Sequence, residues 1–262
     1  MKQSTRGATQ FFCLLLLFAG GSSIADDSSV TTSWSTGLEY SSGTYGGDAD
    51  IEDLYLPIGF SLNLPRVSLD LTVPYLSIRA PGGTTVIGPG GEPIPGSGEI
   101  VTESGLGDII AGITVYDVLY SDRLGLALDI TGKVKFGTAD ENKGLGTGEQ
   151  DFTLRTDLYK FFEQLTLLGS VGYKFRGDPD EVDLEDVLIA SVGGIFYASD
   201  SARVGLILDY RESAITDGDA LTELSGFVSR ELSDAWTLQF YVFTGFSDSS
   251  PDWGGGFLFI GT

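Results

Sequence analysis

The chain has 262 residues, with 37 acidic side chains against 15 basic ones, no histidine, one cysteine and one methionine. The lack of histidine excludes imidazole bases, Ser-His-Asp hydrolases and His-ligated haem, and a single cysteine excludes an internal disulfide and Cys/His zinc sites. A formal charge of −22 disfavours nucleic acid as a partner, because the phosphate backbone is also negative. Carboxylate-only enzymes such as glycosidases survive these exclusions.

Residues 1–25 have the pattern of an export signal. Lys2 and Arg6 form a basic start, and Phe11–Ala19 is an apolar stretch too short to span a bilayer as a helix. Ser23-Ile24-Ala25 is a small-x-small cleavage site. We therefore expect an exported protein with a single domain over 26–262 and a formal charge of −24, since the signal carries two basic residues and no acidic one.

After the signal, apolar residues recur at every second position in segments of about ten residues, the signature of half-buried β-strands. In 124–137, for example, the even positions are mostly apolar and the odd ones include Asp129, Lys133 and Lys135. The predicted strands are 33–43, 50–62, 66–78, 107–119, 124–137, 151–161, 165–176, 186–199, 203–213, 221–231, 235–246 and 253–260.

The connections between these strands alternate between tight turns and long loops, as in outer-membrane barrels, which have an even number of strands. A soluble secreted sandwich or a lipocalin-like barrel would also alternate. However, the polar face is too rich in charge for a dry core, and the apolar face has aromatic ends, which suits lipid. We predict an all-β, closed antiparallel transmembrane barrel of about twelve strands. The leucines expected to face lipid are Leu69, Leu126, Leu167, Leu206 and Leu238.

The expected orientation places both termini in the periplasm and the long loops outside the cell, against outer-membrane lipid and lipopolysaccharide. The densest acidic run contains Asp178, Asp180, Glu181 and Asp183, a candidate site for divalent cations through oxygen ligands. A solvated acidic surface is the simpler interpretation. The Gly- and Pro-rich segment 79–106 is expected to be the least regular part of the protein and to pack inward over the barrel mouth.

Several charged residues are expected to point into the lumen, because they lie opposite the apolar face of their strands. Lys133, Lys135, Arg155, Lys174 and Arg176 would form one wall near the outer mouth. The other expected lumen residues are Arg211, Glu39, Asp129, Asp157 and Asp209. A basic wall facing an acid would make a transverse field that orients polar solutes. Alternatively, the basic residues neutralise neighbouring aspartates and are structural.

Turn and girdle residues near both ends of the mature chain also carry a family resemblance. The segments are Gly37–Gly43, Val73–Leu76, Asp209–Arg211, Ser229–Asp234 and Gly245–Gly254. They resemble a family of bacterial outer-membrane transporters labelled MetA-pathway of phenol degradation. The resemblance implies a small barrel with a role in the uptake of aromatic or hydrophobic compounds.

The sequence therefore favours an outer-membrane channel or transporter for passive uptake of a small solute. We expect neither an enzymatic activity nor a cofactor. The alternative is a structural outer-membrane barrel whose acidic extracellular loops bind divalent cations or a partner. Conductance in a planar bilayer separates the two, because a plugged barrel would show none.

Overall fold

The computed structural model describes residues 9–11, 15–17, 30–88, 93–179 and 182–262. The predicted cleavage site at 23–25 lies outside these ranges, so removal of the export signal stays a prediction. Within the predicted signal, the structure describes Thr9–Phe11 and Leu15–Leu17, which pair antiparallel with each other. Among the described residues, no helix is long and apolar enough to cross a membrane.

From residue 30 onward the chain forms one closed antiparallel sheet, as predicted. The twelve barrel strands are β1 Thr31–Gly43, β2 Ile51–Asn63, β3 Val67–Pro81, β4 Ile100–Leu106 with Ile109–Ser121, β5 Leu126–Phe136, β6 Asp151–Phe161, β7 Leu165–Phe175, β8 Val187–Ser199, β9 Ala202–Arg211, β10 Leu221–Ser233, β11 Trp236–Gly245 and β12 Trp253–Gly261. β12 pairs with β1 from Trp253 opposite Ser42 to Gly261 opposite Trp34, which closes the barrel.

The fourth strand is longer than predicted and is interrupted once. Both of its parts pair with β3, so they form one barrel strand with a break at Gly107 and Asp108. The expectation that all of 79–106 is irregular is wrong at both ends, because β3 runs to Pro81 and β4 begins at Ile100. The β-branched residues that follow 99 favour a strand, whereas the paired glycines and most of the prolines lie between 82 and 99.

A short hairpin also contradicts the expected irregularity, because Thr85–Val86 pairs with Pro93–Ile94. The expected inward packing is confirmed for this loop, in which Val86 and Ile87 are buried.

The two ends of the barrel differ as the sequence predicted. At one end, here called the turn end, connections of two to four residues join successive strands at 64–66, 122–125, 162–164, 200–201 and 234–235. At the other end, here called the loop end, the connections are 44–50, 82–99, 137–150, 176–186, 212–220 and 246–252. A single 3-10 turn, Glu141–Lys143, lies within the 137–150 loop.

Side chains alternate between the outer surface of the barrel and its interior. Of the five leucines predicted to face lipid, Leu69, Leu167 and Leu206 are 43%, 43% and 61% exposed. Leu126 and Leu238 are half-buried. None of the five lies in the buried interior, so their predicted direction is confirmed.

Aromatic side chains mark both rims of the apolar outer surface. At the turn end, the rings of Trp236 and Phe259 stack with centroids 4.7 Å apart, and Trp34 meets Trp236 edge-on at 5.4 Å. At the loop end, Tyr40 contacts Trp253 at 5.5 Å. An apolar band between aromatic girdles is the outer surface of a membrane barrel, because amphipathic rings favour the two lipid–water interfaces.

Candidate functional site

The structure brings the predicted lumen residues into the barrel interior. Eight of them are buried, and none of these eight is more than 8% exposed: Glu39, Asp129, Lys133, Lys135, Arg155, Asp157, Lys174 and Arg176. Asp209 and Arg211 are half-buried. A wide, water-filled lumen would leave such long side chains accessible, so the lumen is narrow where they lie.

Four of these residues, which we call the basic group, surround a cavity of about 80 Å³: Lys133, Arg155, Lys174 and Arg211. Lys133 on β5 and Lys174 on β7 lie in one row, because each pairs with Thr153 of β6. Arg155 lies one inward position further from the loop end, opposite Thr131. The basic group therefore spans strands β5 to β9, as strand direction predicted.

Carboxylates lie close to the basic group. The Nε atom of Arg155 donates a hydrogen bond to Oδ2 of Asp157 at 3.1 Å, and both side chains are buried. Lys133 interacts electrostatically with Asp157 and with Asp70. The Asp70 contact was not predicted. Asp70 lies on β3 between the exposed residues Leu69 and Leu71, so strand alternation directs its side chain inward. The contact with Lys133 arises because Gly112 separates the two residues and has no side chain to keep them apart.

Asp129 contacts the barrel backbone, whereas the sequence suggested only that it neutralises the basic wall. Its Oδ1 atom accepts a hydrogen bond from the backbone N–H of Asp117 at 2.8 Å. Asp117 has a positive φ of 52°, and the β4–β5 register shifts at the same level. Asp129 therefore stabilises a bulge in the barrel wall.

Lys135 joins two carboxylates at the loop end. Its Nζ atom lies 3.1 Å from Oδ2 of Asp108 and 3.4 Å from Oδ2 of Asp151, and it donates a hydrogen bond to Thr147 at 3.1 Å. Asp108 lies at the break in β4 and was not singled out from the sequence. Its Oδ1 atom also accepts from the backbone N–H groups of residues 138 and 139, which holds the 137–150 loop against the barrel.

The 82–99 loop also covers the loop end of the lumen. The Nη1 atom of Arg176 donates a hydrogen bond to the carbonyl of Ile87 at 2.9 Å. The backbone N–H of Val86 donates to Gly144 in the 137–150 loop at 2.8 Å. Ile87 packs in an apolar cluster with Leu184 of the 176–186 loop, Val187 at the start of β8 and Ala214 of the 212–220 loop. Side chains and loops together narrow the loop end of the lumen.

A group of buried carboxylates lies on both sides of the junction at which β12 pairs with β1. This acidic group consists of Glu39 on β1, Asp53 on β2 and Glu223 on β10. Glu39 interacts electrostatically with the other two and accepts a hydrogen bond from the hydroxyl of Tyr241 at 2.8 Å. The sequence pointed to Glu39, but it did not single out Asp53.

The acidic and basic groups are not fully separated across the lumen. Asp209 interacts electrostatically with Glu223 on one side and with Arg155 and Arg211 on the other. The two groups therefore occupy opposite arcs of the wall but meet at β9 and β10.

Buried apolar side chains line part of the interior, which the sequence did not predict. Tyr159 and Leu168 lie toward the turn end, Ile207 lies near the middle of β9, and further members of the same cluster come from strands β10 to β12: Phe227, Tyr241, Phe243, Leu258 and Ile260. The strand pattern concealed this layer because strands such as β12 have apolar residues on both faces. We call these residues the apolar layer. Buried hydroxyl groups, such as those of Ser35, Ser61 and Ser229, share the turn half of the interior with members of this layer.

The candidate cation site can be described only in part, because Asp180 and Glu181 lie outside the described residues. Asp178 and Asp183 are exposed. Within the described ranges, no cluster of three or more carboxylates could hold a metal ion. A cation site at this loop stays a prediction.

Comparisons with known proteins place this architecture among outer-membrane barrels. No protein-family model matches the chain, and a search of curated proteins finds no match. Among solved structures, an outer-membrane channel from Pseudomonas putida F1 is similar with a TM-score of 0.66 at 12% identity, over 90% of this chain and 97% of that one. The fold is that of an outer-membrane channel.

Two further structures have the same type of barrel. The KdgM porin is similar with a TM-score of 0.56 at 8% identity, over 88% of this chain and 98% of that chain, and it has also been solved in complex with disordered oligogalacturonate. The translocator domain of the autotransporter NalP from Neisseria meningitidis has a TM-score of 0.52 at 10% identity, over 90% of this chain and 88% of that one. At these identities the likeness concerns the fold alone.

Proposed function

We propose that the protein is a passive channel of the bacterial outer membrane that admits a small solute. The observation that carries this proposal is a closed barrel with an apolar outer surface around a narrow interior of charged and apolar layers. In this proposal the long loops face the outside and the termini face the periplasm, with lipid and lipopolysaccharide against the apolar band. Selectivity comes from lumen width and lumen charge, and no catalytic step is involved.

The proposed solute is an aromatic or otherwise hydrophobic compound, as the resemblance to the phenol-degradation family implies. The apolar layer supports this assignment, because Tyr159, Leu168 and Ile207 offer apolar contacts inside the barrel. Two inward-facing pairs of rings also lie there: Tyr159 stacks with Phe161, and Tyr241 with Phe243.

One observation favours the second candidate, a structural barrel with acidic loops that bind cations or a partner. Eight of the ten predicted lumen charges are almost inaccessible, and the 82–99 and 137–150 loops cover the loop end. Planar-bilayer recordings of the purified protein separate the candidates. A channel gives discrete conductance steps, whereas a permanently plugged barrel gives none and would contradict the proposed function.

Replacing both Lys133 and Lys174 by glutamate is expected to shift the reversal potential toward cation selectivity. The double substitution changes the charge beside the cavity by four units, where the low-dielectric wall makes charges act strongly on passing ions. The measurement is the zero-current potential in a tenfold KCl gradient. The matched control is Lys143→Glu, at an exposed position of the 137–150 loop, which should leave the potential nearly unchanged. An unshifted potential in a double variant that still conducts would contradict a role of these lysines in selectivity.

A further inference from the structure

The cavity within the basic group has two kinds of wall. On the polar side, the basic group is joined by hydroxyl groups of Thr131, Ser170 and Ser191. On the apolar side, Ile189 and Leu221 contribute aliphatic surface. A wall of this composition suits a ligand with one charged end and one hydrocarbon end.

The charge around the cavity favours an anion. Four of the residues that line the cavity are basic and one, Asp209, is acidic. Further carboxylates lie behind this lining: Asp157 is bonded to Arg155, Asp70 interacts with Lys133, and Glu223 interacts with Asp209. Because these carboxylates offset much of the positive charge, a ligand with a single carboxylate suits the cavity better than a dianion, which would bury a second negative charge in a wall of low dielectric constant.

The size of the cavity sets an upper limit on the ligand. Its volume of about 80 Å³ would hold on the order of five water molecules, since one water needs about 10–15 Å³ of this space. A carboxylate with a short aliphatic chain fits these limits. A longer or aromatic body would extend toward the turn end, where Tyr159 and Leu168 begin the apolar layer.

We infer that the cavity formed by the basic group binds the carboxylate of a small organic monoanion as it passes through the barrel. This inference rests on the proposed function and narrows its solute to organic acids. The guanidinium groups of Arg155 and Arg211 match the planar geometry of a carboxylate. Ser170 and Ser191 share a hydrogen bond with each other, so one of these two hydroxyl groups keeps a proton that it can donate to the ligand. The hydrocarbon part of the acid contacts Ile189 and Leu221.

Propionate tests the inference in planar bilayers that contain the purified full-length protein. Propionate should reduce the chloride current in a saturable manner, because both anions compete for one site. Propanol and propylammonium have similar hydrocarbon parts without the carboxylate, and they should leave the current unchanged. Equal inhibition by all three solutes, or inhibition by propylammonium alone, would overturn the inference.

A pair of variants identifies the site. Lys174→Met is expected to weaken propionate inhibition at least about tenfold, because it removes one charged hydrogen-bond donor from the cavity. Arg155→Gln gives a second test in case the first variant fails to assemble. Lys160→Met, near the turn end and away from the cavity, is the control and should inhibit like the wild type.

The outcomes distinguish the inference from the function on which it rests. A wild-type barrel that conducts but is not inhibited by propionate would overturn the inference and leave the channel function standing. Unchanged inhibition in both cavity variants would also overturn it. A barrel that conducts no ions at all would overturn both proposals.

Discussion

Replacing Lys135 by methionine is expected to lower the free energy of unfolding by about 3–5 kcal/mol, the range for removing one partner of a buried ion pair. The ammonium group lies between the carboxylates of Asp108 and Asp151, and all three side chains are only 4% exposed. Methionine retains most of the aliphatic packing but leaves two buried carboxylates without their shared cation. Urea titration of the barrel folded into phosphocholine vesicles measures the change.

Two further variants separate the loss of the buried ion pair from a general effect of removing a lysine at the loop end. Lys143→Met removes an exposed lysine from the 137–150 loop and should change the free energy of unfolding by less than about 0.5 kcal/mol. Lys135→Arg keeps the positive charge and should retain most of the stability. A loss below about 1 kcal/mol in Lys135→Met would show that the two carboxylates do not depend on this lysine.

Replacing Val171 by arginine is expected to destabilise the folded barrel by about 2–4 kcal/mol, as for a charge near the bilayer midplane on the lipid face of a barrel. Val171 lies near the middle of β7, between Thr156 and Ala190, and 53% of its side chain is exposed on the outer surface. The guanidinium would have to enter hydrocarbon or draw water and headgroups toward it. The measurement is the same urea titration in vesicles.

The matched control is Leu119→Arg, also on the outer surface but near the turn end of β4. Its expected cost is about 0–1 kcal/mol, because a side chain near the interface can reach the headgroups. Equal costs at the two positions would argue against a bilayer around the barrel. If Val171→Arg lowers the stability in vesicles but not in the absence of lipid, the result would support the presence of a bilayer around the barrel.

The local pattern of the sequence predicted the strands and the direction of their side chains. In β5, the alternation of Leu126 and Leu128 with Asp129 correctly separated the outer surface from the interior. The pattern was less informative where both faces are apolar, so the inward direction of Ile207 and Leu258 was missed. It also ended β3 too early, because the glycines and prolines after Pro81 concealed a ladder that resumes at Ile100.

The partners of the charged residues could not be predicted from the same pattern. Alternation placed Lys133 and Asp70 on inward faces, but their contact depends on how β3, β4 and β5 align and on a glycine at position 112 between them. Asp108 was not identified as a candidate residue from the sequence, because an isolated aspartate after a glycine is an ordinary turn signal. Its role as the partner of Lys135 emerges only when β4 breaks beside the end of β5.

The sequence by itself determined the number of strands, the faces that they present and the alternation of turns with loops, because a period of two and turn chemistry are local properties. The tertiary structure decided which inward residues meet, because barrel closure brings together groups as distant as Glu39 and Tyr241, 202 positions apart. It also decided how narrow the lumen is. That depends on side chains from all walls and on loops that fold inward, and these meet only after the twelve strands have closed.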